Sequence, residues 1–203
     1  MKKSLILFCF LCLVTTQVFS QNWDINLLKD INPRYPNSTY WKTTSGSAFW
    51  LTGTVSFGTL IYGFASGNGQ LKHNAYEEFA SIGVSQLFTT ALKYSINRER
   101  PADRHPNEVF VNSSLHGKSF PSGHATLAFN AAATLSLEYK KWYVTVPAYL
   151  WASSVGYSRM YLGRHYPSDV AGAAVVGIGS GYLTNWLTKQ IWKPYLKKNH
   201  LPD

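Results

Sequence analysis

Residues 122–138 read SGHATLAFNAAATLSLE, and this stretch decides the fold. Alanine recurs through it, and no strict alternation of apolar and polar residues runs along it. Alanine has the strongest intrinsic helix preference, whereas a half-buried strand needs a period of two. The run is also longer than an ordinary strand. Ser122 stands where a helix N-cap belongs, and Pro121 before it restricts how the chain comes in.

Working outward, four more apolar segments occupy roughly 48–66, 77–95, 142–160 and 167–190, and none is dominated by alternation. Alanine clusters again at 171–174. The expectation is an all-α bundle of about five principal helices, with any site at helix ends and loops. The long polar loop is 101–121, rich in Pro, Asn, Ser and Gly. Residues 21–47 form a polar N-terminal segment broken by Pro33 and Pro36, with one short amphipathic turn around Leu27, Leu28 and Ile31. Residues 191–203 form a basic C-terminal tail. No internal repeat is present, and 203 residues suit one domain better than two.

The first twenty residues read as a signal peptide. Lys2 and Lys3 precede the apolar run LILFCFLCLV at 5–14, and Val18-Phe19-Ser20 fits a cleavage site. Cleavage after Ser20 is expected, with an uncleaved anchor as the other reading. Both cysteines, Cys9 and Cys12, lie in this segment, so the mature chain needs no disulfide and has no thiol nucleophile.

The net charge of +9 suits an anionic partner, whether a phosphate compound, an anionic lipid or a nucleic acid, but charge alone chooses none of them. Residues 48–66 and 170–188 carry no charge and are about long enough to span a bilayer. Against spanning, the mean hydropathy is −0.13 and the apolar runs are diluted by Gly, Ser, Thr and Asn. A buried helix of a soluble bundle has the same appearance. If the chain spans, Lys140, Lys141, Lys193, Lys197 and Lys198 fall on the cytoplasmic side and the candidate site faces outward.

Three clusters carry chemistry. Lys93 and Arg100 lie seven positions apart, about two turns on one helix, so both cations face the same way, and Pro101 is expected to stop that helix directly after Arg100. Two converging cations suit a dianion, though a basic helix end complementing the macrodipole reads the same way. In Pro121-Ser122-Gly123-His124, the free N–H groups of a helix start can meet an anion. Gly123 allows close approach, and His124 can exchange protons near neutral pH. An ordinary capped helix with a surface histidine fits equally. In Ser158-Arg159 to His165 and Asp169, Pro167 opens the last helix. Asp169 can then reach back to one imidazole nitrogen and leave the other free to attack. A capping Asp beside a loop His is the plainer account. Together the clusters supply three cations, two histidines and a carboxylate. No metal set is evident, and no Gly-rich nucleotide loop appears. Phosphoryl transfer to histidine is the chemistry that remains.

At these residues the chain resembles the type 2 phosphatidic-acid phosphatase superfamily, which also holds bacterial non-specific acid phosphatases and vanadium haloperoxidases. The three signatures of that group are Lys93 to Arg100-Pro101, Pro121 to His124, and Ser158-Arg159 to His165 and Asp169, with every spacing kept. The resemblance covers about 48–190, which it marks as a phosphatase domain. It implies that His165 attacks phosphorus, that Asp169 orients His165, and that His124 protonates the leaving group and activates water. It implies that Lys93, Arg100, Arg159 and the Ser122–Gly123 region hold the phosphoryl oxygens, and that no metal or other cofactor is needed. The implied partner is a phosphorylated substrate, lipid foremost, and not a nucleic acid. The implied location is the cell envelope or periplasm. A soluble periplasmic acid phosphatase is the alternative. A vanadate-dependent haloperoxidase and a non-enzymatic anion-binding membrane protein are the remaining readings. Arg98, Arg104, Arg164, His105 and His116 read as solvated charges near the site, and Tyr161 and Tyr166 as packing residues.

Overall fold

A computed structural model of the chain describes residues 23–113 and 117–198, with side chains through residue 191. The expected signal peptide, His116 and residues 199–203 lie outside the described residues. Among the described residues every regular element is helical. A short helix α1 covers 23–31. It is followed by α2 (Thr39–Ala65), α3 (Gly69–Ile96), the single turn α4 (Pro101–Arg104), α5 (Gly123–Tyr139), α6 (Trp142–Tyr161) and α7 (Pro167–Lys198). The five long helices are the principal helices expected.

Their bounds differ from the apolar segments at three places. The second helix starts at Thr39, not 48, because Ser38 caps it by accepting from Trp41 N at 3.4 Å. The third starts at Gly69, not 77, because Asn68 accepts from Leu71 N at 3.2 Å. The last continues to Lys198, into the stretch set apart as a basic tail. Apolar runs understate these helices because their inward faces are polar. The buried positions of α2 are Ser45, Ala48, Thr52, Ser56 and Gly63, while Phe49, Trp50, Phe57, Ile61 and Phe64 point outward.

Helix α5 is the centre of the bundle and packs on α2, α3, α6 and α7. Ala125, Ala128, Ala132 and Ala133 are fully buried. Such small side chains let neighbouring backbones come close. The closest approach is at Gly177 of α7, where a Cβ would stand 2.5 Å from Thr126 O and 2.9 Å from Asn130 N.

A second, smaller core lies at the end of the bundle that carries the motifs. Ile25 and Leu28 of α1 pack with Val109 and Tyr166. Asn32, just past α1, donates to Phe110 O at 3.0 Å and to Tyr161 O at 2.8 Å, and accepts from Phe110 N at 2.8 Å. Asn112 donates to Pro36 O at 2.7 Å. The N-terminal segment and the 101–121 loop, unreadable separately, therefore hold one another. The turn between α6 and α7 passes beneath them at Gly163, whose φ is +68° and where a Cβ would meet Phe110 O at 2.3 Å. Only glycine fits that conformation and that contact.

Candidate active site

The site is built from the ends of four long helices and the loops joining them. Pro167 opens α7, so His165 lies two residues before the helix and Asp169 in its first turn, as the spacing predicts. His165 Nδ1 stands 3.4 Å from Asp169 Oδ2, longer than a fully formed hydrogen bond. Both residues are buried, at 2% and 0% exposure. Burial pushes the His165 imidazole down to about 3, against the pull of Asp169 and with help from the Arg159 and Arg100 charges. Burial therefore favours the neutral ring in the free protein, and a proton on Nδ1, the nitrogen that faces Asp169, leaves the Nε2 lone pair for attack.

Asp169 is held from several sides. Oδ2 accepts from Ser119 Oγ and from Tyr166 N at 2.9 Å. Oδ1 accepts from Arg98 Nη1 at 2.7 Å. Its backbone carbonyl accepts from Ser122 N at 3.2 Å, tying the start of α7 to the start of α5.

The three expected cations converge, but not by the route expected for the first two. Lys93 lies in the last turn of α3, which ends at Ile96 when Asn97 adopts the left-handed conformation, φ 53°. Arg100 is therefore on no shared helix with Lys93. It is the N-cap residue of α4, and Pro101 begins that turn and does not stop α3. A break after one more turn was invisible because asparagine tolerates the left-handed region without announcing it. The two cations still come within electrostatic reach across the break, since Lys93 feels the charges of Arg100, Asp169 and Arg159. Lys93 Nζ donates to Lys118 O at 3.0 Å, and Arg100 Nη1 to Arg164 O at 3.0 Å. Burial, then Arg164, lowers the Arg100 pKa. Arg159 is 2% exposed at the end of α6, and its Nη1 donates to Ser45 Oγ at 2.6 Å.

Ser122 is the N-cap residue of α5, yet its hydroxyl makes no capping bond, contrary to the usual use of serine there. Ser122 Oγ, Arg100 Nε and Arg159 Nε are all buried without a protein partner. Gly123 faces open space, since a Cβ there would meet no atom within 4 Å. His124 follows, its ring edge-on to Phe49 at 4.7 Å between centroids. His124 is within electrostatic reach of Arg159, His165, Arg164 and Arg100. All eight residues singled out by sequence thus belong to one end of the bundle.

Sequence reasoning missed three residues. Arg98 is not a solvated charge. It bridges Asp169 and Asp24 and stacks over Tyr166 at 3.9 Å from the ring centre. Burial lowers its pKa, but the Asp169 and Asp24 carboxylates outweigh that and raise it. Asp24, fully buried, and Ser119 have partners far along the chain, so no local spacing reveals them.

Comparison with known proteins shows the family. A sequence profile of the PAP2 superfamily matches residues 78–193. The Lipid A 4'-phosphatase of Bacteroides thetaiotaomicron is 35% identical over 113 residues, which is 53% of this chain and 50% of that one. The chain spans half or less of the length of the first curated relatives it matches. The crystal structure of Aquifex aeolicus LpxE superposes with a TM-score of 0.63 at 29% identity, covering 80% of this chain and 94% of that one. A transmembrane PAP2 type phosphatidylglycerolphosphate phosphatase from Bacillus subtilis gives a TM-score of 0.66 over 94% of this chain and 98% of that one. At 22% identity that likeness is one of fold. The matched profile takes in more than half of the chain and encloses all three motifs, and the chain belongs to the PAP2 superfamily.

Proposed function

We propose that this protein is a metal-independent phosphatase that spans the cell-envelope membrane, with its site facing outward, and removes a phosphoryl group from a lipid through His165. One observation carries the reading. A buried imidazole backed by Asp169 lies within electrostatic reach of Arg159 and Arg100, with Lys93 close to both, and each of the two guanidiniums keeps a buried Nε without a protein acceptor. A phosphoryl dianion supplies the acceptors those donors need, because a buried polar group without a partner is costly.

The steps follow from the placement. Phosphoryl oxygens bind to Lys93, Arg100, Arg159 and the amides at Ser122 and Gly123. The Nε2 lone pair of His165 forms the N–P bond as the ester P–O bond breaks. His124 gives its proton to the departing oxygen. Burial first, and then the Arg159 and neighbouring charges, disfavour a protonated His124 in the free protein; the bound dianion offsets those charges and so favours the imidazolium this step requires. Water, losing a proton to His124, then attacks phosphorus, and the N–P bond breaks to restore His165 and release phosphate. The Asp169 carboxylate stabilises positive charge on His165 while phosphorus is attached.

Four features support a lipid and a membrane. The helices are turned outside in. On α3 the buried positions include Asn74, Ser81, Ser85 and Thr89, with Leu87 and Phe88 exposed. On α7 Ser180 and Thr184 are buried, with Val175, Trp186, Leu187 and Ile191 exposed. Apolar surface on that scale suits hydrocarbon and not water. Among the described residues α2 is long and apolar enough to cross a bilayer. Lys140 and Lys141 lie between α5 and α6, at the opposite end from His124 and Arg159, which supports a site that faces outward. Finally, a cleft of about 290 Å³ between the helices is lined mainly by apolar side chains, Leu51, Val55, Ile82, Leu135 and Trp151 among them, with Glu78 as its one carboxylate, and that lining suits an acyl chain.

The test is a substrate panel on detergent-purified protein, with lipid A, phosphatidic acid, an isoprenyl diphosphate and p-nitrophenyl phosphate side by side. Phosphate release is expected from at least one lipid, faster than from the soluble ester, and absent in His165→Ala. Silence on every substrate, or unimpaired release by His165→Ala, overturns the reading.

A further inference from the structure

Asp24 is a buried carboxylate from a segment far from all three motifs, yet it is bonded to the residues around Asp169. Asp24 is 0% exposed near the start of α1. A carboxylate withdrawn from water needs partners, and Asp24 has a full set. Its Oδ2 accepts from Arg98 Nη2 at 2.6 Å and from Ser168 Oγ. Its Oδ1 accepts from Ser168 N at 2.8 Å, at the exposed amide end of α7. The other guanidinium nitrogen, Arg98 Nη1, donates at 2.6 Å to Ser168 Oγ and at 2.7 Å to Asp169 Oδ1. One arginine thus joins two carboxylates, and the second of these faces His165 Nδ1.

Resting on the phosphatase reading above, we propose that Asp24 is a positioning residue, which acts through Arg98 and Ser168 to fix the Asp169 carboxylate against His165. Two physical effects combine. The first is geometric. Arg98 follows the left-handed Asn97 in a loop, so nothing in regular structure fixes its side chain. Asp24 on one side and the Tyr166 ring below pin the guanidinium where its other nitrogen meets Asp169. The second is electrostatic. An arginine neutralised by Asp169 alone draws on the same negative charge that must support a positive His165. With Asp24 taking a share of Arg98, Asp169 keeps charge for the imidazole. The hydrophobic docking of Ile25 and Leu28 sets the register of α1 that puts Asp24 there.

The experiment is a double-mutant cycle on the full chain in detergent, between Asp24→Asn and Asp169→Asn, with kcat and KM read for the best substrate of the panel. Asp24→Asn is expected to lower kcat by about 10- to 100-fold with KM within about threefold, because the bound phosphate touches other residues. In the Asp169→Asn background the same change should alter kcat by less than about twofold, since its effect runs through the missing carboxylate. A loss of folded protein would instead add to the Asp169→Asn defect. Should Asp24→Asn not accumulate, Ser168→Ala removes one bridging hydroxyl and is expected to cost about threefold in kcat, again only when Asp169 is present. Wild-type kcat in either folded variant, or additive losses, overturns the inference and leaves the phosphatase reading standing. An inactive wild type removes that reading, and this inference with it.

Discussion

Arg159 and Ser45, 114 residues apart in sequence, meet inside the bundle at 2.6 Å through Nη1 and Oγ. Arg159 ends α6 and Ser45 lies in the second turn of α2, so this bond aims a motif arginine from a helix that lies outside the matched profile. Of the two other guanidinium nitrogens, Nε is buried without a protein partner and so can meet an anion. Ser45→Ala is therefore expected to lower kcat/KM by about 3- to 30-fold, in keeping with the loss of one hydrogen bond to a charged group. Arg159→Lys should cost more, because an ammonium cannot serve Ser45 and a phosphoryl oxygen with one planar fork. Steady-state kinetics of the two variants decide this; equal activity in all three proteins would contradict it.

The depressed His165 pKa has a sign that stability can read. The unfolded imidazole takes a proton near 6.5, while the folded one resists until about 3. Between those values the unfolded state binds more protons, so stability falls as pH drops, by at most about 1.4 kcal/mol per pH unit. Above the unfolded value His165 contributes no slope. Thermal unfolding of wild type and His165→Gln from pH 8 to 4 is expected to show a shallower acid decline in the variant. Parallel curves would place the protonation elsewhere.

Gly177 lets the backbones of α5 and α7 touch, and Gly179 on the same helix faces open space. Gly177→Val should destabilise the fold by about 2–4 kcal/mol, since its Cβ would overlap Thr126 O and Asn130 N. Gly179→Ala should leave stability within about 0.5 kcal/mol. Melting temperatures of the pair in one detergent test the contrast.

Vanadate takes up the five-coordinate geometry of phosphorus during transfer, and the cations around His165 should hold it. Inhibition competitive with substrate is expected, together with full activity in excess chelator. A strict metal requirement would contradict attack by an unassisted imidazole.

Much of the fold was legible in the chain because its signals are local. Alanine content and the absence of a period of two make 122–138 a helix wherever it sits. Pro167 two residues after His165 fixes which residue precedes the last helix and which lies in its first turn. Where local signals misled, the physics was still local but silent: Asn97 breaks α3 early, and polar inward faces hide the first turns of α2 and α3. Residue types and spacings marked out the eight candidate residues as three clusters, each with a plainer account of its own, and the resemblance to a known family supplied the roles.

Tertiary packing alone decided what supports them. Asp24 meets Arg98 across 74 residues, Ser119 meets Asp169 across 50, and Asn32 ties α1 to the 101–121 loop across 78. No spacing encodes such pairs, since each depends on which faces of which helices are pressed together. The chain specified the reacting groups through short-range geometry; only the assembled bundle, by burying carboxylates that water would otherwise satisfy, determined which partners hold them still.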